Sequence, residues 1–337
     1  MKEIKLYTIA FSIFLAAASI SNVKAQQNIQ FTQYMFNSLS VNPAYAGYKE
    51  QWFLQTTVRT LWIGIEGAPQ TNQISIDGVT NNENKRYGVG LQITTDKLGP
   101  QTTNSVYGNY AYRIQLDAED TKRLSFGIGV GITQYGLNGS LLHPTDAGDP
   151  AITKNSLDSY IPDFRFGVYY SSPKWYLGFS IMDMLSTNFG GKLFHWDTSD
   201  TANIIRKPHF YVIAGSLFDI TESIKVRPGI LFKEDLQGPT SLDLNTMFIY
   251  NNKFWVGASY RTAIALWNKK YDNGGGLTRR NSVSGIVQVN VTDNFRVGYS
   301  YDYVINGLDQ VQHGSHEITI GWTIPSTSQR LLSPRFF

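Results

Sequence analysis

Leu124-Ser125-Phe126-Gly127-Ile128-Gly129-Val130-Gly131-Ile132-Thr133 decides the fold. Every second residue is large and apolar, and every other one is Ser, Gly or Thr. Successive side chains of a strand point to opposite faces, so this stretch reads as a strand with one greasy face and one slim, polar face. Upstream, Tyr87, Val89, Leu91 and Ile93 alternate with Gly88, Gly90, Gln92 and Thr94. Downstream, Phe295, Val297, Tyr299, Tyr301 and Tyr303 oppose Arg296, Gly298, Ser300 and Asp302, and Ile318, Ile320, Trp322 and Ile324 oppose Glu317, Thr319, Gly321 and Thr323. About fourteen such segments follow one another, and no long helical period interrupts them.

The links between segments carry a second signal. After every even segment they are short and polar: Asn81-Asn82-Glu83-Asn84-Lys85, Asp117-Ala118-Glu119-Asp120, Ser171-Ser172-Pro173, Asp219-Ile220-Thr221-Glu222, Asn251-Asn252 and Thr292-Asp293-Asn294. After several odd segments they are long, over residues 136–159, 185–205, 266–279 and 306–314. Short turns at one end and long loops at the other mark an outer-membrane barrel. A soluble sandwich would bury the apolar face and has no reason to sort its loops. The expected fold is therefore all-β: a transmembrane antiparallel β-barrel of about 14 strands over residues 51–325, with a plug-like N-terminal segment. Trp52, Trp62, Trp175, Tyr176, Trp255 and Trp267 are expected at the interfacial girdles.

Composition agrees. The 337 residues are 16% charged and 14% aromatic, against about 25% charged in soluble domains. So many aromatics exclude a disordered chain. The net charge of +3 offers no basic field for nucleic acid, and the absence of Cys removes disulfides and thiolate chemistry. Lys2 and Lys5 precede an apolar stretch ending at Ile20, and Val23-Lys24-Ala25 is an acceptable cleavage site, so residues 1–25 read as a signal peptide.

No enzyme signature is present. The five His residues show no metal-binding spacing, and no cofactor site is expected. His316 and Glu317 are strand neighbours and so face opposite sides. Asp146, Asp149 and Asp158 read as solvated loop acids. Arg59, Asp163, Arg165, Asp243, Arg261, Arg296, Asp302 and Glu317 fall on or near the polar parity of their strands. They are expected to pair inside the barrel and stiffen it, with a charged selective pore as the alternative.

Residues 26–50 form an N-terminal periplasmic or plug segment in this reading, and residues 326–337 a periplasmic tail. Residues 27–47 carry no charge and mix amides with Tyr34, Met35, Phe36 and Tyr45, which suits a partly buried polar setting; a loose periplasmic leader is the alternative. Asn42-Pro43 and Gly47 mark turns before the first strand.

The same segment carries a resemblance. Gln30-Phe31-Thr32-Gln33-Tyr34-Met35-Phe36-Asn37, followed by Asn42-Pro43-Ala44-Tyr45-Ala46-Gly47, resembles the opening signature of the PorP/SprF family of type IX secretion system outer-membrane proteins. Its family-motif residues here are Gln33, Tyr34, Met35, Asn37, Asn42, Pro43, Tyr45 and Gly47. Arg59-x-x-Trp62, Glu66-Gly67-Ala68-Pro69-Gln70-Thr71, Lys174-Trp175-Tyr176-Leu177-Gly178, Lys207-Pro208-His209 and the tail Ser333-Pro334-Arg335-Phe336-Phe337 extend the likeness over the mature chain. Glu66 stands where the family more often has Asp. The resemblance implies a non-enzymatic outer-membrane component that supports secretion and surface attachment of a large adhesin with a C-terminal sorting domain. It implies further secretion components, periplasmic lipoproteins among them, and outer-membrane lipid as partners. A passive porin or transporter for small solutes is the alternative drawn from fold alone. Tyr135, His143, Phe189, Phe194, His195 and Trp196, in or beside the long links after the fifth and seventh segments, are the candidate partner-binding residues, because aromatics are enriched where interfaces concentrate binding energy. Packing those loops into a cap over the lumen is the other reading of the same residues.

Overall fold

The computed structural model describes residues 28–81, 84–142, 156–185, 207–236, 238–264, 266, 280–305, 310–324 and 336–337. The strands are β1 (Trp52–Thr60), β2 (Gln70–Val79), β3 (Tyr87–Leu98), β4 (Gln101–Gln115), β5 (Arg123–Asn138), β6 (Ser156–Ser171), β7 (Trp175–Met182), β8 (His209–Ser216), β9 (Phe218–Asp219), β10 (Ile224–Glu234), β11 (Thr240–Tyr250), β12 (Phe254–Ile264), β13 (Arg280–Asn290), β14 (Phe295–Val304) and β15 (Ser315–Ile324). β8 and β9 are one stave interrupted at Leu217, since both pair with β10, so the fifteen segments make a fourteen-stranded barrel. Neighbours in sequence pair antiparallel all the way round. The ring closes where β1 meets β15, from Trp52 opposite Ile324 to Thr60 opposite His316. Closure gives each strand a neighbour on both sides, the arrangement that removes sheet edges in a membrane.

The parity expected for β5 is the one observed. Phe126, Ile128, Val130 and Ile132 are exposed on the outside, while Ser125 and Thr133 are buried inside. Ile74, Leu91, Ile93, Val106, Phe248, Val256, Val287 and Ile320 extend the outward apolar surface around the barrel. Local chemistry sets the turns at one end. Asn251 and Asn252, at φ 49° and 55°, take the left-handed conformation that Asn tolerates in the three-residue turn, 251–253, between β11 and β12. Two sequence expectations need correcting. The strands flanking the first long link run further than expected, to Asn138 and from Ser156, so the link covers residues 139–155. Among the girdle candidates, Trp52 and Trp175 do face outward, but Tyr176 and Trp255 are buried inside. Trp175 and Tyr176 are adjacent in one strand, so they cannot both face lipid. Trp62 is half-buried and Trp267 lies outside the described residues.

Candidate functional site: a barrel filled by its own N-terminal segment

The core of this molecule is the occupied lumen. Residues 31–48 run inside the barrel as a strap of single 3-10 turns at Tyr34–Phe36, Ser38–Ser40 and Pro43–Tyr45. Asn42 starts the last turn: its Oδ1 accepts from the Ala44 amide at 2.9 Å, and Pro43 at the first position has no N–H that would need an acceptor. Tyr34, Met35, Phe36, Leu39, Tyr45 and Tyr48 are all buried, and they pack on inward residues of the wall, Tyr169, Tyr176, Met247 and Trp255 among them. Phe36 meets Trp255 edge-on at 5.5 Å, and Tyr45 meets Tyr169 edge-on at 5.5 Å.

Wall glycines admit the strap. A Cβ on Gly88 would overlap the carbonyl of Ala46, and one on Gly127 the backbone of Ala44. The slim inner face that suited a lumen in the sequence is therefore the seat of a closely applied second backbone. Gly127→Val should displace the strap at a cost of about 1–3 kcal/mol, the usual range for overpacking. Gly285→Val is the matched control: that glycine faces outward with open space around its Cβ. Denaturant unfolding of the two variants in detergent or lipid checks this; equal midpoints would disprove the close approach.

Ion pairs bind the strap at one end of the barrel. Arg59, 2% exposed, places Nη2 2.5 Å from Asp302 and Nη1 2.6 Å from Glu317. Its Nη1 also donates to Thr32 Oγ1 at 2.8 Å, and that hydroxyl donates to Asp302. Glu317 accepts the backbone amides of Thr32 at 2.8 Å and Gln33 at 2.9 Å. Arg261 pairs with Asp243 at 2.8 Å, and the same carboxylate accepts from Gln30 Nε2 at 3.2 Å. Asn28 donates to Asp183, and its carbonyl accepts from Lys233 Nζ at 2.9 Å. These contacts lie where β11 and β15 begin and where β7, β10 and β14 finish, the end of the long links.

At the other end, Gly47 N donates to Asp77 at 2.9 Å. The buried carboxylate of Glu50 is 2.7 Å from Lys85 Nζ, 3.4 Å from Arg113 and 3.9 Å from Arg123. The Tyr45 hydroxyl donates to the Phe337 carbonyl at 2.8 Å, and the Phe337 ring lies 4.8 Å from Tyr176. Residues 336–337, expected in a periplasmic tail, thus reach into the floor of the barrel beside a cavity of about 70 Å³ between Met35, Trp255 and Arg296. Burial, with Arg296 nearby, pulls the Lys49 ammonium well below its ordinary value; its Nζ sits 3.1 Å over the Phe53 ring.

All eight motif residues, Gln33, Tyr34, Met35, Asn37, Asn42, Pro43, Tyr45 and Gly47, come together in this strap and are buried. Of the inward charges expected from parity, Arg59, Asp302, Glu317, Asp243 and Arg261 form the pairs above. Asp163 accepts from Tyr107 at 2.9 Å, and Arg165 stacks over that ring at 3.1 Å. Arg296 instead donates to the Phe36 carbonyl at 2.9 Å and to Gln55 at 2.8 Å. Tyr135 is buried with Leu137 and Ile161. His143, Phe189, Phe194, His195 and Trp196 lie outside the described residues, as do residues 1–25. Glu317 faces the lumen while His316 takes the outer side, 2.7 Å from the Tyr299 hydroxyl. Sequence reasoning missed Glu50 and its basic partners, since the acid lies in no strand and its partners come from a turn and two distant strands.

A closed, fourteen-stranded antiparallel barrel with an apolar outer belt is an outer-membrane β-barrel protein. A family model, type IX secretion system membrane protein PorP/SprF, matches residues 23–322, and the chain belongs to that family. It is an outer-membrane component of type IX secretion, and family membership implies other components of that system as partners. Among curated proteins no match is found. Solved structures similar in fold include the Ralstonia pickettii toluene transporter TbuX, at 12% identity and TM-score 0.47, covering 86% of this chain and 92% of that one. The Acinetobacter baumannii outer membrane protein Omp33 is similar at 9% identity and TM-score 0.45, covering 82% and 100%. A Pseudomonas aeruginosa FadL homologue gives 9% identity and TM-score 0.45, covering 89% and 96%.

Proposed function

We propose that this barrel supports secretion and surface attachment of a large adhesin, recognising the adhesin's C-terminal sorting domain through its long links. The observation that carries the reading is the filled lumen. A barrel with residues 31–48 packed inside it offers a partner its rim, its links and its floor. Loops on a rigid scaffold are where recognition commonly sits. The proposed role is non-enzymatic. Periplasmic lipoproteins of the secretion system are proposed partners at the short-turn end. A passive solute channel is the competing function, and the strap in its lumen disfavours it.

Exchanging the links after β5 and β7 for those of a paralogous barrel tests the proposal. The hybrid should fold and reach the membrane, lose surface display of its own adhesin, and gain the paralogue's. Display of the original adhesin at normal levels would place recognition elsewhere, in the floor near Phe337.

A further inference from the structure

We propose that the chain is threaded through its own barrel, so that the strap begins at the cell-surface mouth and descends to the periplasmic floor. The first contacts of this segment and its last lie at opposite ends of the barrel. Asn28 bonds to Asp183, just past the end of β7, and to Lys233, one residue before the end of β10. Gln30 reaches Asp243 and Ser241 at the start of β11, and Thr32 and Gln33 reach Glu317 near the start of β15. All of these lie at the long-link end. Asn37 then bonds to Gln73 within β2, and Asn42 donates to the Val168 carbonyl at 3.0 Å within β6. Gly47 meets Asp77 near the end of β2, and Glu50 meets Lys85 in the β2–β3 turn. Those last contacts lie at the short-turn end, where β1 starts at Trp52.

A segment waiting beneath the barrel would bring residues 28–33 to the short turns. They are at the opposite end. Two consequences follow from threading. The β1–β15 seam closes around a strap already in place, because the strap's buried rings and its bonds at both ends fill the ring that the seam completes. Residues 28–33 are also an element of the cell surface, beside the long links where a partner would arrive.

The inference rests on the long links facing outward, and the test separates the two claims. The chain contains no Cys, so single cysteines give clean readouts. Ile29→Cys (half-buried at the mouth), Leu141→Cys (exposed at the β5–β6 link) and Asn251→Cys (exposed in the β11–β12 turn) are treated with a membrane-impermeant maleimide, on intact cells and after opening the outer membrane. Threading with outward links requires Ile29→Cys and Leu141→Cys to react on intact cells, and Asn251→Cys only after opening. Ile29→Cys grouping with Asn251→Cys would overturn threading. Ile29→Cys and Leu141→Cys both reacting only after opening would keep threading and overturn the outward placement. A second measurement covers poor reactivity at position 29. The pair Gln30→Cys and Asp243→Cys should join through a short bis-maleimide in assembled barrel, and failure to join would overturn the strap's position at that end.

Discussion

Arg59→Met should lower the unfolding free energy of the barrel by about 3–5 kcal/mol, the range for removing one partner from a buried ion pair. Arg59 is the only guanidinium bonded to both Asp302 and Glu317 among the described residues, and Glu317 is fully buried. Without it, two carboxylates are left in the lumen beside the strap's amides. The loss comes mostly from those stranded charges rather than from the net worth of the pairs, since a buried pair costs desolvation as well as gaining attraction. The triple variant Arg59→Met, Asp302→Asn, Glu317→Gln should therefore recover a large part of the loss. Denaturant unfolding of the folded barrel, followed by its gel-mobility shift on heating, gives both numbers. A single variant as stable as the parent, or a triple variant less stable than the single, would show that the network does not hold the strap. The strap should also loosen selectively in the single variant, with amide exchange at Thr32 and Gln33 rising before exchange in the strands.

The barrel was legible because its two signals are local. Period-two alternation places Phe126 and Ile128 on one face whatever the rest of the chain does, and the Asn251-Asn252 turn follows from the conformational tolerance of Asn. Strand ends were less legible, since Ser156 and Asn138 pair only through their register across β5 and β6. Parity within one strand separates Trp175, which faces outward, from its neighbour Tyr176, which is buried inside. The strap's burial was suggested by its lack of charge, but its path was not. That path is set by bonds over long sequence distances, Thr32 to Glu317 and Tyr45 to Phe337, which no local pattern encodes. The same limit hid Glu50, whose partners Lys85, Arg113 and Arg123 come together only once β2 to β5 are in register. The glycines of the inner face show the converse. Their positions were plain in the sequence, but their reason, the backbones of Ala44 and Ala46 pressed against them, belongs to the strap.

Removing the strap should convert the barrel into an open channel. Fourteen strands enclose more space than the eight-stranded barrels that side chains alone can fill, and less than the sixteen-stranded porins that carry an aqueous pore. Here the middle of that space holds Tyr34, Met35, Phe36, Leu39 and Tyr45, each buried, with cavities of only about 70 and 10 Å³ beside them. A variant lacking residues 28–47 should give discrete current steps in planar bilayers where the intact chain gives none. Its inner face would still present Arg59, Asp302, Glu317, Asp243 and Arg261, so the steps should depend on the salt used. Deletion also removes packing that the wall relies on, so a length-preserving variant is needed beside it. Tyr34→Ala, Phe36→Ala and Tyr45→Ala together remove the rings that meet Asn245, Trp255 and Tyr169 while keeping the Glu317 contacts to Thr32 and Gln33. That variant should fold with reduced stability and give intermittent openings, because the strap stays tethered at the mouth but no longer fills the floor. An intact chain that conducts as well as either variant would overturn the sealing role of the strap and favour the solute-channel reading. A silent deletion variant with a native far-UV spectrum would mean that the wall closes on itself once the strap is gone.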